Sequence, residues 1–160
     1  MNRCAQLQGS YRAISRAIRA AVAAECERFV NQHIEQRSSF AVETTLRTST
    51  AILQAELAHA RGFATALRFV ATDSPDANVA RVLQRGQGGG HGASERDVRA
   101  IYAASISNLA RAITVFERVH VYDSTVPWTG PRVVATARKG QLTYHGASPA
   151  WLVRALAAAE

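Results

Sequence analysis

Ala66-Leu67-Arg68-Phe69-Val70-Ala71, running into Thr72-Asp73-Ser74-Pro75, is the stretch that decides the fold. It is a short apolar run rich in strand-forming side chains, too brief for a core helix. The residues after it form a turn and a helix start. Ser or Asp accepts from free backbone N–H groups, and Pro is tolerated in the first helical turn. The stretch therefore predicts a buried strand followed by a helix.

Working outward, a short helix is expected over Asp76 to Arg85, then the glycine segment Gly86-Gln87-Gly88-Gly89-Gly90-His91-Gly92. Ser94 with Asp97 three positions on resembles a capped entry to a helix reaching about Arg118. Val119-His120-Val121-Tyr122-Asp123 reads as a further strand. Arg132 to Arg138 and Gln141 to Tyr144 flank Lys139-Gly140 as a hairpin, and Pro149 opens a last amphipathic helix with Trp151, Leu152 and Leu156. Upstream, Tyr11 to about Gln36 repeats apolar residues at helical spacing. Ser39 to Thr45 suits a buried strand running into a loop, and Ser49 to Ala60 a helix stopped by Gly62. Helices alternating with short apolar strands predict one three-layer α/β domain over residues 1–160, built on a parallel sheet. Ligands of such sheets sit beyond the carboxyl ends of the strands. Those ends are Glu43-Thr44-Thr45, Thr72-Asp73 and Asp123-Ser124.

Composition agrees with a globular chain: 160 residues, 48% hydrophobic and 19% charged. Arginines interrupt every alanine-rich run, so no membrane span is expected, and the first residues carry no secretory pattern. Two cysteines, Cys4 and Cys26, are too few for a disulfide scaffold, and the expected compartment is the cytoplasm. Lys and Arg total 19, all but Lys139 being arginine, and the net charge of +7 implies affinity for phosphates or other anions. A nucleic-acid partner is not expected, because the arginines are spread along the chain and no aromatic platform is visible on a basic stripe.

Several residues are candidates for chemistry. Glu43 is placed to hold substrate hydroxyls or act as a base, with Thr44 and Thr45 positioning a sugar or phosphate. The competing reading leaves Glu43 solvated while Thr45, Thr48 or Ser49 caps a helix. Arg81 and Arg85, four apart, either clamp phosphate oxygens or form a solvated basic face. Gly89, Gly90 and His91 belong to a segment that either wraps an anion with backbone N–H groups or is a surface linker. Asp123 either orients a ligand or caps a loop, and Trp128 and Trp151 read as packing residues. No histidine spacing suggests a metal site, and no nucleophile motif supports acyl transfer.

Taken in order, Phe40 to Thr48, Arg81-Val82-Leu83-Gln84-Arg85, Gly89-Gly90-His91, Tyr102, Ser105, Asn108-Leu109 and Val121-Tyr122-Asp123-Ser124 resemble the zeta toxin family. The resemblance runs from about Arg19 to the last helix. It implies a P-loop kinase fold with a five-stranded parallel sheet, ATP and magnesium as cofactors, and a substrate such as UDP-N-acetylglucosamine. It implies further that Glu43, Thr44 and Thr45 contact the nucleotide-sugar, and that Arg81, Arg85 and His91 face ATP phosphates. An antitoxin protein is the implied partner. The chain departs from that pattern in three ways. It holds no G-x-x-x-x-G-K-[ST] segment with its lysine, it lacks the segment that carries the family's base aspartate, and Ile101 and Ala104 stand where relatives carry arginine. The expectation is a shortened form without the first two strands, inactive as a kinase alone, or else a non-catalytic nucleotide-sugar or protein-binding module. The missing central strand would leave Ser39–Thr45 and Leu67–Ala71 facing a gap. Direct pairing of the two, or a homodimer through the open edges, is then expected.

Overall fold

A computed structural model describes residues 15–87, 93–127 and 129–157. Its helices are α1 (Arg16–Glu35), α2 (Thr50–Ala60), α3 (Pro75–Gln87), α4 (Glu95–Val115) and α5 (Ala150–Ala157). Its strands are β1 (Ala66–Ala71), β2 (Arg118–Asp123), β3 (Arg132–Arg138) and β4 (Gln141–Tyr144). The residues group into two compact units, Met1–Val42 with Ala80–Ser94, and Glu43–Val79 with Glu95–Glu160.

In the smaller unit, Ser15 caps α1 by accepting from the Ile18 N–H at 3.2 Å. The helix ends in a double closure: Ser38 N–H donates to His33 C=O and Arg37 N–H to Ile34 C=O. That turn puts Arg37 at φ 53, a conformation glycine usually supplies. Val30 and Ile34 are buried on α1. The ring of Phe40 meets Phe29 edge-on at 6.4 Å and His33 at 5.9 Å.

The larger unit is a four-stranded mixed sheet in the order β1-β2-β3-β4. β1 and β2 run parallel, while β3 and β4 join antiparallel. The parallel sheet of the sequence reading is thus confined to one pair. The hairpin forms where expected, because Lys139 and Gly140 both take positive φ (48° and 78°), the two-residue turn that matches strand twist. α2 likewise stops as expected, with Gly62 at φ 83 and its N–H donating to His59 C=O.

Alternation decides which face of the sheet is buried. Leu67, Phe69 and Ala71, Val119 and Val121, and Ala135 and Ala137 join one core with Ile52, Leu109, Ile113, Trp151 and Leu152 from the helices. Val134 is buried beside Ala135 because a bulge slips the register there, so two neighbours point the same way. The opposite face stays open: Ala66, Arg68, Val70, Arg118 and Arg138 are exposed, and His120, Tyr122 and Thr136 half-buried. This unit is therefore two layers, not the three expected.

The strand expected at Ser39 to Thr45 does not form. Residues 38–47 are irregular, Ala41 to Thr45 are exposed, and Phe40 packs against α1 residues instead. A strand needs a ladder, and among the described residues no strand pairs with this segment; Thr44 Oγ1 instead accepts from the Leu46 N–H at 3.1 Å, a local turn. The expected direct pairing with β1 does not form among the described residues, whose sheet holds only β1 to β4. Arg118 N–H donates to Thr65 C=O and Ser124 N–H to Ala71 C=O, which fixes the odd residues of β1 toward β2. The backbone groups of Ala66, Arg68 and Val70 then face outward, and among the described residues no strand pairs with them.

Candidate functional site

The carboxyl ends of β1 and β2 carry a polar cluster, and α4 organises it. Tyr102 and Ser105, three residues apart on α4, share one helical face. Tyr102 Oη donates to the Thr72 carbonyl at 2.9 Å, at the end of β1. Ser105 Oγ lies against the carbonyls of Thr45 and Ile101, with one proton for the two. One turn on, Asn108 Nδ2 donates to the Leu46 carbonyl at 2.9 Å. Leu46 is 2% exposed and joins the core, although its backbone takes φ 53. A buried leucine and two side-chain straps thus hold the Glu43–Leu46 loop beside α4.

At the end of β2, Asp123 Oδ1 accepts from the N–H and hydroxyl of Thr125, and its Oδ2 lies 3.9 Å from Arg132. The Thr125 hydroxyl oxygen in turn accepts from Asp73 N–H at 2.9 Å. Asp123 therefore braces the loop that follows it, the capping alternative of the sequence reading. Burial raises the Tyr102 phenol above its usual range; Arg154 of α5 opposes the shift, and the charges of Asp73 and Asp123 add to it. Tyr102 is accordingly a neutral hydrogen-bond donor throughout the physiological range.

Thr44, Thr45, Thr72, Asp73, Tyr102, Asp123 and Thr125 all stand in the larger unit, with Glu43 exposed at the start of the loop. Arg81 and Arg85 stand on α3 in the smaller unit, Arg81 half-buried and Arg85 exposed. Gly89, Gly90 and His91 lie outside the described residues, as does Trp128. Arg99 is engaged elsewhere, by Asp76 at 2.6 Å and Glu95 at 2.8 Å. Arg154 and Thr125 were missed in the sequence reading. Arg154 carried only the signal of an amphipathic helix, and Thr125 only that of a loop.

Asp123 is held through Oδ1 by Thr125, with Arg132 3.9 Å from Oδ2, and among the described residues no group of three His, Cys, Asp or Glu is gathered. What the loop offers is an exposed carboxylate, two threonine side chains and neighbouring backbone groups, chemistry that suits hydroxyls on a ligand. No helix among the described residues is long and apolar enough to cross a membrane. No known protein family, curated protein or solved structure matches this chain.

Proposed function

We propose that this chain is a zeta-toxin-like small-molecule kinase module that binds a nucleotide-sugar such as UDP-N-acetylglucosamine and, by itself, does not transfer phosphate. One observation carries the reading. Ser105 and Asn108, residues of the motif order that resembles the family, hold the loop of Glu43, Thr44 and Thr45 alongside α4. The Thr45 carbonyl that Ser105 contacts thus stands about one turn along α4 from the Thr72 carbonyl that Tyr102 grips.

The non-catalytic part rests on charge. Phosphoryl transfer depends on positioning and neutralisation, and loss of a single transition-state contact costs on the order of a hundredfold in rate. The 160 residues have no phosphate-loop lysine to offer. The outward edge of β1 favours a partner strand, from a longer polypeptide, a second copy or an antitoxin, as the way to complete the sheet.

Calorimetry of the 160-residue chain with UDP-N-acetylglucosamine and with ATP tests the reading. Saturable sugar-nucleotide binding, weakened about tenfold or more by Glu43→Ala with the fold intact, is expected. Absence of that binding overturns the substrate assignment. ATP consumption proportional to the amount of this chain overturns the non-catalytic one.

A further inference from the structure

The open face of the sheet has a property that no linear stretch of the sequence displays. Arg118 and Arg138 are direct cross-strand partners, both exposed and on the same side of the sheet. Like charges placed opposite each other weaken a sheet, and natural strands ordinarily answer one with a carboxylate. Among the described strand residues no Asp or Glu shares this face. Arg68, Arg118 and Arg138 make no ion pair among the described residues, whereas Arg99, Arg111 and Arg132 each face a carboxylate. The face is short of an anion.

It also carries rings. His120 and Tyr122, two apart on β2, stack with centroids 6.4 Å apart and planes 27° from parallel. Register sets Arg68 beside His120 and Val70 beside Tyr122, and Val70 is 54% exposed. On the other side of His120 lies Thr136, whose hydroxyl meets His145 Nε2 at 2.9 Å. From Arg118 to Tyr122 the strand covers about 13 Å.

We propose that this face binds single-stranded nucleic acid. Arg118, Arg138 and Arg68 would take successive phosphates, and the His120–Tyr122 pair with Val70 would receive a base. Bases stack on aromatic rings irrespective of sequence, and a basic groove follows the backbone. Four-stranded sheets that display aromatic rings on an open face bind single strands in this manner. Duplex is excluded by shape, since a flat sheet cannot reach its stacked bases. An acidic polypeptide would satisfy the arginines but leave the rings without a purpose.

Fluorescence anisotropy of the full chain with labelled oligo(U) and oligo(dT), with a duplex of equal length, and with heparin and polyglutamate as competitors tests this. Single strands are expected to bind most tightly. Arg118→Glu combined with Arg138→Glu should weaken binding tenfold or more and lower the salt slope by about 1.4, two contacts at roughly 0.7 each. Tyr122→Leu should weaken it about tenfold without changing that slope. The single change Arg118→Glu turns a repulsive pair into an attractive one, so the melting temperature should hold or rise while affinity falls. If that variant fails to fold, Arg68→Glu on the neighbouring strand carries the same test. No saturable binding, or equal binding of single strand, duplex and heparin that Tyr122→Leu leaves unchanged, overturns the proposal. So does full displacement by polyglutamate at equal charge.

Discussion

Replacing Asn108 by alanine should release the 43–46 loop before it disturbs the sheet. Leu46 sits at φ 53, a left-handed conformation that costs a branched residue about 1–2 kcal/mol. Burying its side chain recovers about 1.5–3 kcal/mol, so the loop is nearly balanced without its straps. The Asn108 amide, 2.9 Å from the Leu46 carbonyl, is one of two that tip it. Its loss leaves that carbonyl without a donor, at a cost of about 1.5 kcal/mol, or tenfold in the ratio of closed to open loop. Arg47, directly after the loop, is exposed and gives trypsin a cleavage point at its end. Where cleavage tracks the open population, Asn108→Ala should be cut there about ten times faster. The melting temperature should fall by roughly 3–6 °C. Asn108→Asp should be no better, because a carboxylate has no proton to give a carbonyl. Unchanged cleavage after Arg47 in both variants would refute the strap.

Three further outcomes are expected. Tyr102 keeps its proton above pH 10 because it is buried, against the pull of Arg154 and helped by Asp73 and Asp123. The unfolded chain sheds that proton near pH 10, so stability should fall as pH rises from about 10 through the raised native value, and Tyr102→Phe should flatten that alkaline limb in denaturant titrations. Lys139→Asn, at φ 48 in the hairpin turn, should raise stability by about 0.5–1 kcal/mol in thermal unfolding. The Trp151 indole N–H is buried without an acceptor among the described residues. Trp151→Phe should therefore stay within about 1 kcal/mol of the parent, while Trp151→Ala should lose about 3–5 kcal/mol; equal losses would show that the N–H finds a partner.

The strands that the chain pairs with itself were legible, and the segment that finds no ladder among the described residues was not. β1, β2 and the hairpin follow from alternation and from Lys139-Gly140. Phe40-Ala41-Val42 carries the same apolar signal as β1. Its fate turns on whether a ladder partner exists, which propensity does not encode. The site was half legible. Glu43 to Thr45 and Asp123 stand out as polar residues at apparent strand ends. The contacts of Ser105 and Asn108 with the loop span some sixty residues of chain and emerge only when α4 packs. The opposition of Arg118 and Arg138 was hidden for another reason. It depends on hairpin register, and a one-residue slip would send either arginine to the other face.

The mixed pairing of β2 also sets an order of assembly. On one side it meets β3 and β4 through short connections that close at little entropic cost. On the other it meets β1 only after α3, the glycine segment and α4 have been traversed. The three-stranded meander should therefore appear early, with β1 zipping on in the slow phase. Pulsed hydrogen exchange would record this as protection at Val133 to Ala137 while the amides of Leu67 and Phe69 still exchange.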